Sequence, residues 1–418
     1  MRLLVGLHHL ELGGSQLNAV DLAVAARHRG HDVVVFAVYN GQPGPLAEMV
    51  RAAGLPLVLV RHSRAIQGLL PVRQAVARTL WRVAVRERIQ LVHAYEFPLS
   101  LDSFYGPHLR LGIPLVCTIY GQFVPRWLPR YPPVIVGARK VADMVAPLRP
   151  KPPALIEPPV NTDTNAPGLI DGAEFRRAHG LGTHIVVGVV SRLEPTTKYD
   201  GIELAIGAMQ LLDDPRIQLV VTGDGPSFSA LNTSAARVNS ALGRRAVIMI
   251  GSLIDPRPAY AAADIALGVG GSALRAMAFA KPLIVLGTKN FAKLLTPSTA
   301  QEFLVGGFGG FWDPGSSDFD PRPLAGLIRE LADRPGLRSE LGAFGRQLIL
   351  DRFSLNAASV TLEDIYASAV AQAYPRSQRL WEAARVAVYR TGSEALPDTA
   401  KDWLRPMVRP LLHSPGRT

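Results

Sequence analysis

Gly188-Val-Val-Ser-Arg-Leu-Glu-Pro-Thr-Thr-Lys198 is an apolar strand running into a loop that carries two cations, Arg192 and Lys198. Open α/β sheets alternate strand, loop and helix, and they bind ligands at the carboxyl ends of their strands. Two cations on one short loop at that edge can neutralise a doubly charged leaving group such as a diphosphate. The stretch therefore predicts both a parallel sheet and the transfer of a group from an activated donor. A solvated strand-to-helix turn can carry the same residues, so the surrounding sequence has to decide.

Around this stretch the pattern repeats. Ile185 to Val190, Ile217 to Val221, Ala246 to Ile250, Ile265 to Leu267 and Leu283 to Leu286 read as strands. Helices are predicted from about Gly201 to Leu212, over Arg257 to Ala262 and over Ser272 to Ala280. The first third alternates in the same way. Its strands are Leu3 to Leu7, Asp32 to Val38, Leu57 to Val60, Leu91 to Ala94, Pro114 to Tyr120 and Val134 to Val136. Ser15 to Arg29 is a helix with Leu17, Val20, Ala23, Val24 and Ala26 on its apolar side and Gly30 ending it. Such alternation gives a doubly wound parallel sheet. The proline-rich stretch Pro147 to Pro167 resists helix and sheet alike and marks a boundary. The expected fold class is α/β: two Rossmann-like domains, residues 1–165 and 175–355, facing across a cleft, followed by helices and a basic tail over 356–418. In the tail, Trp403, Leu404, Met407, Val408, Leu411 and Leu412 share one side, broken by Pro406 and Pro410, and either dock back on the body or touch lipid.

Composition agrees with an enzyme-sized globular chain: 418 residues, 48% hydrophobic and 19% charged, enough to bury a large core. A single cysteine, Cys117, lies in the apolar run Pro114-Leu-Val-Cys-Thr-Ile119. It can form no intrachain disulfide and reads as a buried thiol in a reducing compartment. No apolar run is long enough to span a bilayer, and the opening Met1 to Leu7 reads as a first strand rather than a signal peptide. The predicted location is cytoplasmic.

The net charge of +11 is unevenly spread. Arg51, Arg61, Arg64, Arg73, Arg78, Arg82, Arg86 and Arg88 face only Glu87 between positions 51 and 90. Gln74 to Ile89 reads as an amphipathic helix with Ala75, Val76, Leu80, Val83 and Ala84 on its apolar side. Its arginines suit an anionic lipid surface or simply a solvated face. With no aromatic-rich strand or nucleic-acid-binding motif beside them, they do not point to DNA or RNA.

Further candidates line the predicted strand ends. Gly13 and Gly14 open the first helix, where side-chain-free backbone lets N–H groups approach an anion. Gly223 and Gly225 follow an apolar strand, though turn geometry alone also accounts for them. Gly268-Val-Gly-Gly-Ser272 sets Gly268, Gly270 and Gly271 before Ser272 at an expected N-cap, a second anion cradle. His93 and Glu96 sit at a strand end facing the expected cleft, where either can orient an acceptor hydroxyl or a sugar; His8 and His9 lie near the glycine pair. No spaced cluster of His, Cys and carboxylates suggests a catalytic metal.

Taken in order, these pieces resemble the retaining GT-B glycosyltransferases of family four over roughly residues 1 to 370. The resemblance runs through Leu12-Gly-Gly-Ser-Gln-Leu-Asn18, Arg29-Gly-His-Asp-Val33, Leu91-Val-His-Ala-Tyr95, Ile156-Glu-Pro-Pro-Val-Asn-Thr-Asp163 and Ser191-Arg-Leu with Lys198. It continues through Val221-Thr-Gly-Asp-Gly-Pro226, Gly251-Ser-Leu-Ile-Asp255, Ala263-Asp264 and Ala276-Met-Ala-Phe-Ala-Lys-Pro282. What it implies is a metal- and cofactor-independent hexosyltransferase that takes a nucleotide-diphosphate sugar as donor. The acceptor is then a cell-envelope glycan, a lipid-linked species or a small molecule. By the same resemblance Leu253 joins the nucleotide-binding set, and the 268–272 loop with its helix holds diphosphate and ribose. The chain departs from the family where Arg275 and Leu267 replace a pair of glutamates and Tyr120 replaces a histidine that touches the donor sugar. Arg275 can instead meet a phosphate or a donor carboxylate, and Tyr120 can donate a hydrogen bond to the sugar. A nucleotide-sugar 2-epimerase and a lapsed nucleotide- or glycan-binding module are the alternatives; the sequence leaves oligomeric state open.

Overall fold

The computed structural model describes residues 1–11, 13–62, 72–195, 198–309 and 319–395. Leu12, Arg64, Thr196, Thr197 and the tail from Trp403 to Leu412 lie outside the described residues. The chain divides into two compact units. Met1–Gly137, Val141–Ile156 and the chain from Ser359 onward form the first; Ala138–Lys140 and Glu157–Ala358 form the second.

In chain order the first unit contributes β1 (Arg2–Leu7), α1 (Gly14–His28), β2 (Asp32–Tyr39), α2 (Leu46–Ala52), β3 (Leu57–Arg61), α3 (Gln74–Arg86) and β4 (Leu91–Tyr95). Next come α4 (Phe97–Ser103), α5 (Leu109–Leu111), β5 (Leu115–Ile119), β6 (Val134–Val136), α6 (Arg139–Val145) and the short β7 (Ala154–Leu155). The strands pair in the order β3-β2-β1-β4-β5-β6-β7, every pair parallel. With helices covering the sheet, β4 and β5 are buried at every position, which is why they read as apolar runs rather than alternating ones. Strand order reverses between β1 and β4, in register Leu3 with Leu91 through Gly6 with Ala94. α3 buries Val76, Ala77, Leu80, Val83 and Ala84 and leaves Arg78, Arg82 and Arg86 exposed, so its apolar side is used up in the core.

The second unit runs α7 (Gly172–His179), β8 (Ile185–Val190), α8 (Tyr199–Leu212), β9 (Ile217–Thr222), α9 (Phe228–Leu242), β10 (Val247–Ile250), α10 (Arg257–Ala262) and β11 (Ile265–Gly268). It continues with α11 (Gly271–Ala278), β12 (Leu283–Leu286), β13 (Ala292–Leu294), α12 (Ala300–Gly306), α13 (Arg322–Asp333) and α14 (Pro335–Arg352). The sheet order β10-β9-β8-β11-β12-β13 repeats the reversal, now between β8 and β11. The expected all-parallel sheet needs one correction, because β13 pairs antiparallel with β12. A tight reversal with Lys289 and Asn290 at φ +52° and +60° and Gly287 N–H on Phe291 O (2.9 Å) turns the chain without a crossover helix.

α15 (Leu355–Ala371) leads from the second unit back into the first, where α16 (Arg376–Ala395) follows it. Burial holds them there. Tyr366 and Val386 are buried, and buried Glu382 accepts from Arg130 N–H (2.7 Å) and Arg385 Nη2 (2.6 Å).

Candidate functional site

Each sheet brings its candidate residues to the carboxyl end of its reversal point. In the first unit, β1 delivers His8 and His9 and the chain turns into α1 at Gly13 and Gly14. Among the described residues nothing lies within 4 Å of where a Gly14 side chain would start, so the helix opening there is clear of them. The Gln16 amide folds back on the histidines, with Nε2 2.9 Å from His9 Nε2 and 3.1 Å from His8 Nε2. Burial, then His9 and Arg73, push the His8 pKa down to about 3, so it is neutral and accepts. Gln16 and Asn18 are buried polar residues on the inner side of α1; the polar signal was in the sequence, but its partners were not.

β4 ends at Tyr95, and Glu96 follows it as the cap of α4. Its backbone sits at φ +64°, ψ +157°, a region suited to glycine in which another residue bears about 1–3 kcal/mol of strain. Its carboxylate accepts from Ser15 Oγ (2.8 Å) and from the Tyr120 N–H (3.1 Å), and it is hydrogen-bonded to the Gly121 backbone as well. Burial raises its pKa, and these hydrogen bonds oppose the rise. Tyr120 turns its hydroxyl inward without a hydrogen-bond partner among the described residues, and buried Tyr95 does the same, their rings 6.4 Å apart. Burial, then the Glu96 carboxylate, push the Tyr120 phenol up, so it remains a donor.

His93 does not serve as the sequence suggested. It is buried in mid-strand, Nδ1 2.7 Å from Tyr366 Oη and Nε2 2.7 Å from Thr118 Oγ1. With both nitrogens engaged and its pKa pushed down to about 3 by burial, it is a neutral packing residue that presents no nitrogen to an acceptor. The cause is strand geometry: His93 lies inside β4, paired with Val5 and Val116, so its ring points onto a covered face of the sheet. Alongside, Arg73 at the start of α3 donates Nε–H (2.7 Å) and its backbone N–H (3.0 Å) to buried Asp102, a pair that spacing did not reveal.

In the second unit, β8 runs into the Ser191–Lys198 loop. Its main chain is pinned to the β9 exit, Ser191 N–H on Thr222 O (3.0 Å), Leu193 N–H on Asp224 O (2.9 Å) and Ser227 N–H on Leu193 O (3.1 Å). Gly223 and Gly225 permit this approach. A Cβ at Gly223 (φ +139°) would lie 1.8 Å from Ser191 O, and one at Gly225 would lie 2.6 Å from Leu193 O. In this structure the two glycines place the cationic loop. Arg192 is exposed and paired with Glu194 at 2.5 Å. Lys198 is different. It lines one recess with Ser191, Gly268, Val269 and Ser272, and it forms no ion pair among the described residues. Burial lowers its pKa, Glu194 opposes the shift and Arg192 adds to it.

The recess is closed by the β11–α11 turn. Gly268 lets α11 fold tightly onto the strand, for a Cβ there would strike the Ala273 backbone at 2.8 Å. Gly270, at φ +55°, caps the helix and donates its N–H to Phe308 O (2.6 Å). Ser272 is therefore not the N-cap. It stands in the first turn, its hydroxyl donating to Val269 O (3.0 Å) and accepting from Val269 N–H (3.1 Å), because the positive-φ glycine already makes the turn. The expected set of free amides narrows to the Gly271 and Ala273 N–H groups, which have no protein acceptor among the described residues. Arg275, one turn on, is partly buried with no carboxylate partner among the described residues; its Nη1 reaches Gly271 O at 3.5 Å. Leu267 is a core residue, and Leu253 packs beside the apolar cluster of Phe175, Val220 and Ile250.

The family model for Glycosyltransferase Family 4 matches residues 12–164, and that for Glycosyl transferases group 1 matches residues 184–307. No curated protein sequence matches the chain. Among solved structures, Anabaena HepE in complex with UDP-glucose is similar at 18% identity and a TM-score of 0.66, covering 88% of this chain and 100% of that one. A glycosyltransferase from Rickettsia africae is similar at 14% identity and 0.67, covering 88% and 98%. The catalytic domain of starch synthase IV from Arabidopsis thaliana, bound to ADP and acarbose, is similar at 12% identity and 0.60, covering 89% and 99%. At these identities the likeness is one of fold.

Proposed function

Because the chain belongs to the group 1 glycosyltransferases, we propose that it moves a hexose from a nucleotide-diphosphate sugar to an acceptor with retention of anomeric configuration, without a resident metal or cofactor. The observation that carries this reading is the Lys198 ammonium, partly buried and in no ion pair among the described residues, in a recess shared with Ser272 and the start of α11. A cation held partly out of water, with Glu194 near enough to act on it but not paired to it, is poised for a ligand's charge. In the proposed step the bond from the anomeric carbon to the phosphate oxygen lengthens, and Lys198 and the Gly271 amide take up the developing charge. Arg192 adds to them once its pairing with Glu194 is shared. The acceptor hydroxyl then bonds to the same face of the sugar and its proton passes to the leaving phosphate. Arg275 sits within reach of the helix start and is assigned to a phosphate or donor carboxylate.

On the first unit the acceptor side falls to the clear helix opening at Gly14, and the Tyr120 hydroxyl is assigned to the donor sugar. The exposed arginines of α3 favour an acceptor at an anionic membrane surface, reached from the cytoplasmic side. UDP is the first nucleotide to try, since the similar Anabaena protein binds UDP-glucose. The test is a thermal-shift screen of nucleoside diphosphates, followed by nuclear magnetic resonance of the product's anomeric proton. Stabilisation by one diphosphate and an axial product from an axial donor are expected. Stabilisation by none, or an inverted product, overturns the reading. The replacement of a carboxylate pair by Leu267 and Arg275 favours a second reading, a nucleotide-binding module without turnover. Stabilisation with neither transfer nor donor hydrolysis would establish that one.

A further inference from the structure

We propose that Glu96 is the positioning residue of the acceptor edge, its carboxylate fixing the opening of α1 and the exit of β5 as one rigid unit; the catalytic part of this inference rests on the transfer reading above.

Three segments far apart in sequence meet on this carboxylate. Ser15 Oγ, in the first turn of α1, donates to Oε1 at 2.8 Å, and the Tyr120 N–H donates to the same oxygen at 3.1 Å. The Gly121 backbone, hydrogen-bonded to the carboxyl, lies on the Oε2 side. Glu96 makes no ion pair among the described residues, so these donors are what hold its charge. Ser15 adjoins Gly14, whose surroundings are clear, and Tyr120 carries the buried, unpartnered hydroxyl. The groups assigned to acceptor and sugar thus hang on one side chain that itself meets neither.

The backbone supplies an independent argument. At φ +64° and ψ +157° glycine would relax the chain, yet the position holds a glutamate. Backbone ease alone would place glycine there; the side chain is what the fold retains the strain for. A carboxylate is also the fitting group, because it is acceptor-only and can take several N–H and O–H donors at once. An amide in its place turns one accepting atom into a donor facing a donor.

The experiment compares the full chain with Glu96→Gln and Ser15→Ala, which keep the backbone conformation, and with Glu96→Asp. Amide hydrogen exchange read by mass spectrometry should show Tyr120 and Gly121 exchanging at least tenfold faster in Glu96→Gln, while β4 and β5 stay protected. Turnover should fall at least tenfold in kcat with the nucleoside diphosphate Kd within twofold of the parent. Ser15→Ala should fall less, and Glu96→Asp should recover part of the loss. Unchanged exchange at Tyr120 and Gly121, or kcat within twofold in a folded Glu96→Gln protein, overturns the proposal. If melting temperature and nucleotide affinity fall in step with kcat, Glu96 is merely structural and the proposal also fails. Should the parent transfer no sugar to any acceptor, the transfer reading fails on its own, and the exchange data still decide whether Glu96 fixes the edge.

Discussion

Replacing Lys198 with methionine separates function from stability. In the folded chain the ammonium is partly buried and in no ion pair among the described residues, and burial lowers its pKa against the opposing effect of Glu194. A lysine whose folded pKa lies below its unfolded 10.5 binds fewer protons folded than unfolded between those two values, so its burden on the fold is full at neutral pH and fades as pH rises through the folded pKa. Lys198→Met removes that burden and keeps the length of the side chain, so without ligand the melting temperature should equal or exceed the parent's. With donor bound the sign reverses. A unit charge about 4 Å from a phosphate oxygen at an effective dielectric of about 20 contributes about 4 kcal/mol. Removal of one charge-stabilising donor costs about a hundredfold to a thousandfold in turnover. We expect at least a drop of about a hundredfold in both kcat/KM and nucleotide affinity. UDP at about 100 times the parent Kd stabilises the parent by about 2.7 kcal/mol, roughly 5–10 °C for a domain of this size. At the same concentration the variant, with affinity weaker by about a hundredfold, gains only about 0.4 kcal/mol, or about 1 °C. Differential scanning fluorimetry with and without UDP and a UDP-release assay read both quantities. Turnover within about threefold of the parent, an undiminished UDP shift, or a ligand-free melting temperature several degrees lower would refute the reasoning. Arg192→Ala should lose less than Lys198→Met, because its guanidinium is exposed and already shared with Glu194.

His93→Gln should lower stability by about 1–3 kcal/mol through its severed bonds to Tyr366 and Thr118, while kcat per folded molecule stays within about threefold; a hundredfold loss at unchanged melting temperature would return His93 to the site. Asp102 should make the fold pH-sensitive: burial pushes its pKa up to about 6, against the opposing effect of Arg73. The folded chain then binds more protons than the unfolded one between pH 3.8 and about 6, and stability should fall across that window by up to about 3 kcal/mol. Urea unfolding at a series of pH values should show this fall in the parent and its absence in Asp102→Asn. The exposed arginines of α3, replaced together as Arg78→Gln, Arg82→Gln and Arg86→Gln, should abolish sedimentation with anionic vesicles, and high salt should do the same to the parent; binding insensitive to both would mean that another surface meets lipid.

The amino-acid order alone determined the strands leading into the candidate loops and the helices after Gly14, Lys198 and Gly271, though not α4 after Glu96 or α9 after Gly225, because an apolar run between loop signals has one good solution when both faces of a sheet are covered. β6, β8 and β12 begin and end where the residues predicted. It also placed Arg192, Lys198, Gly13, Gly14 and the Gly268–Ser272 turn at strand ends, since the carboxyl edge of a parallel strand follows from chain direction. What each residue does there was decided by partners distant in sequence. Ser15 in the first turn of α1, Glu96 after β4 and Tyr120 after β5 belong to three different segments, and only the pairing of β1 with β4 and β4 with β5 brings them to one carboxylate. Tyr366, more than two hundred residues beyond His93, turned an expected acceptor-binding histidine into a buried, neutral one. The antiparallel turn into β13 and the return of the chain into the first unit after Ala358 were likewise fixed by tertiary contacts. Local sequence sets backbone propensity and the period of burial; which polar group remains unpaired, and so free for a ligand, is a property of the packed chain alone.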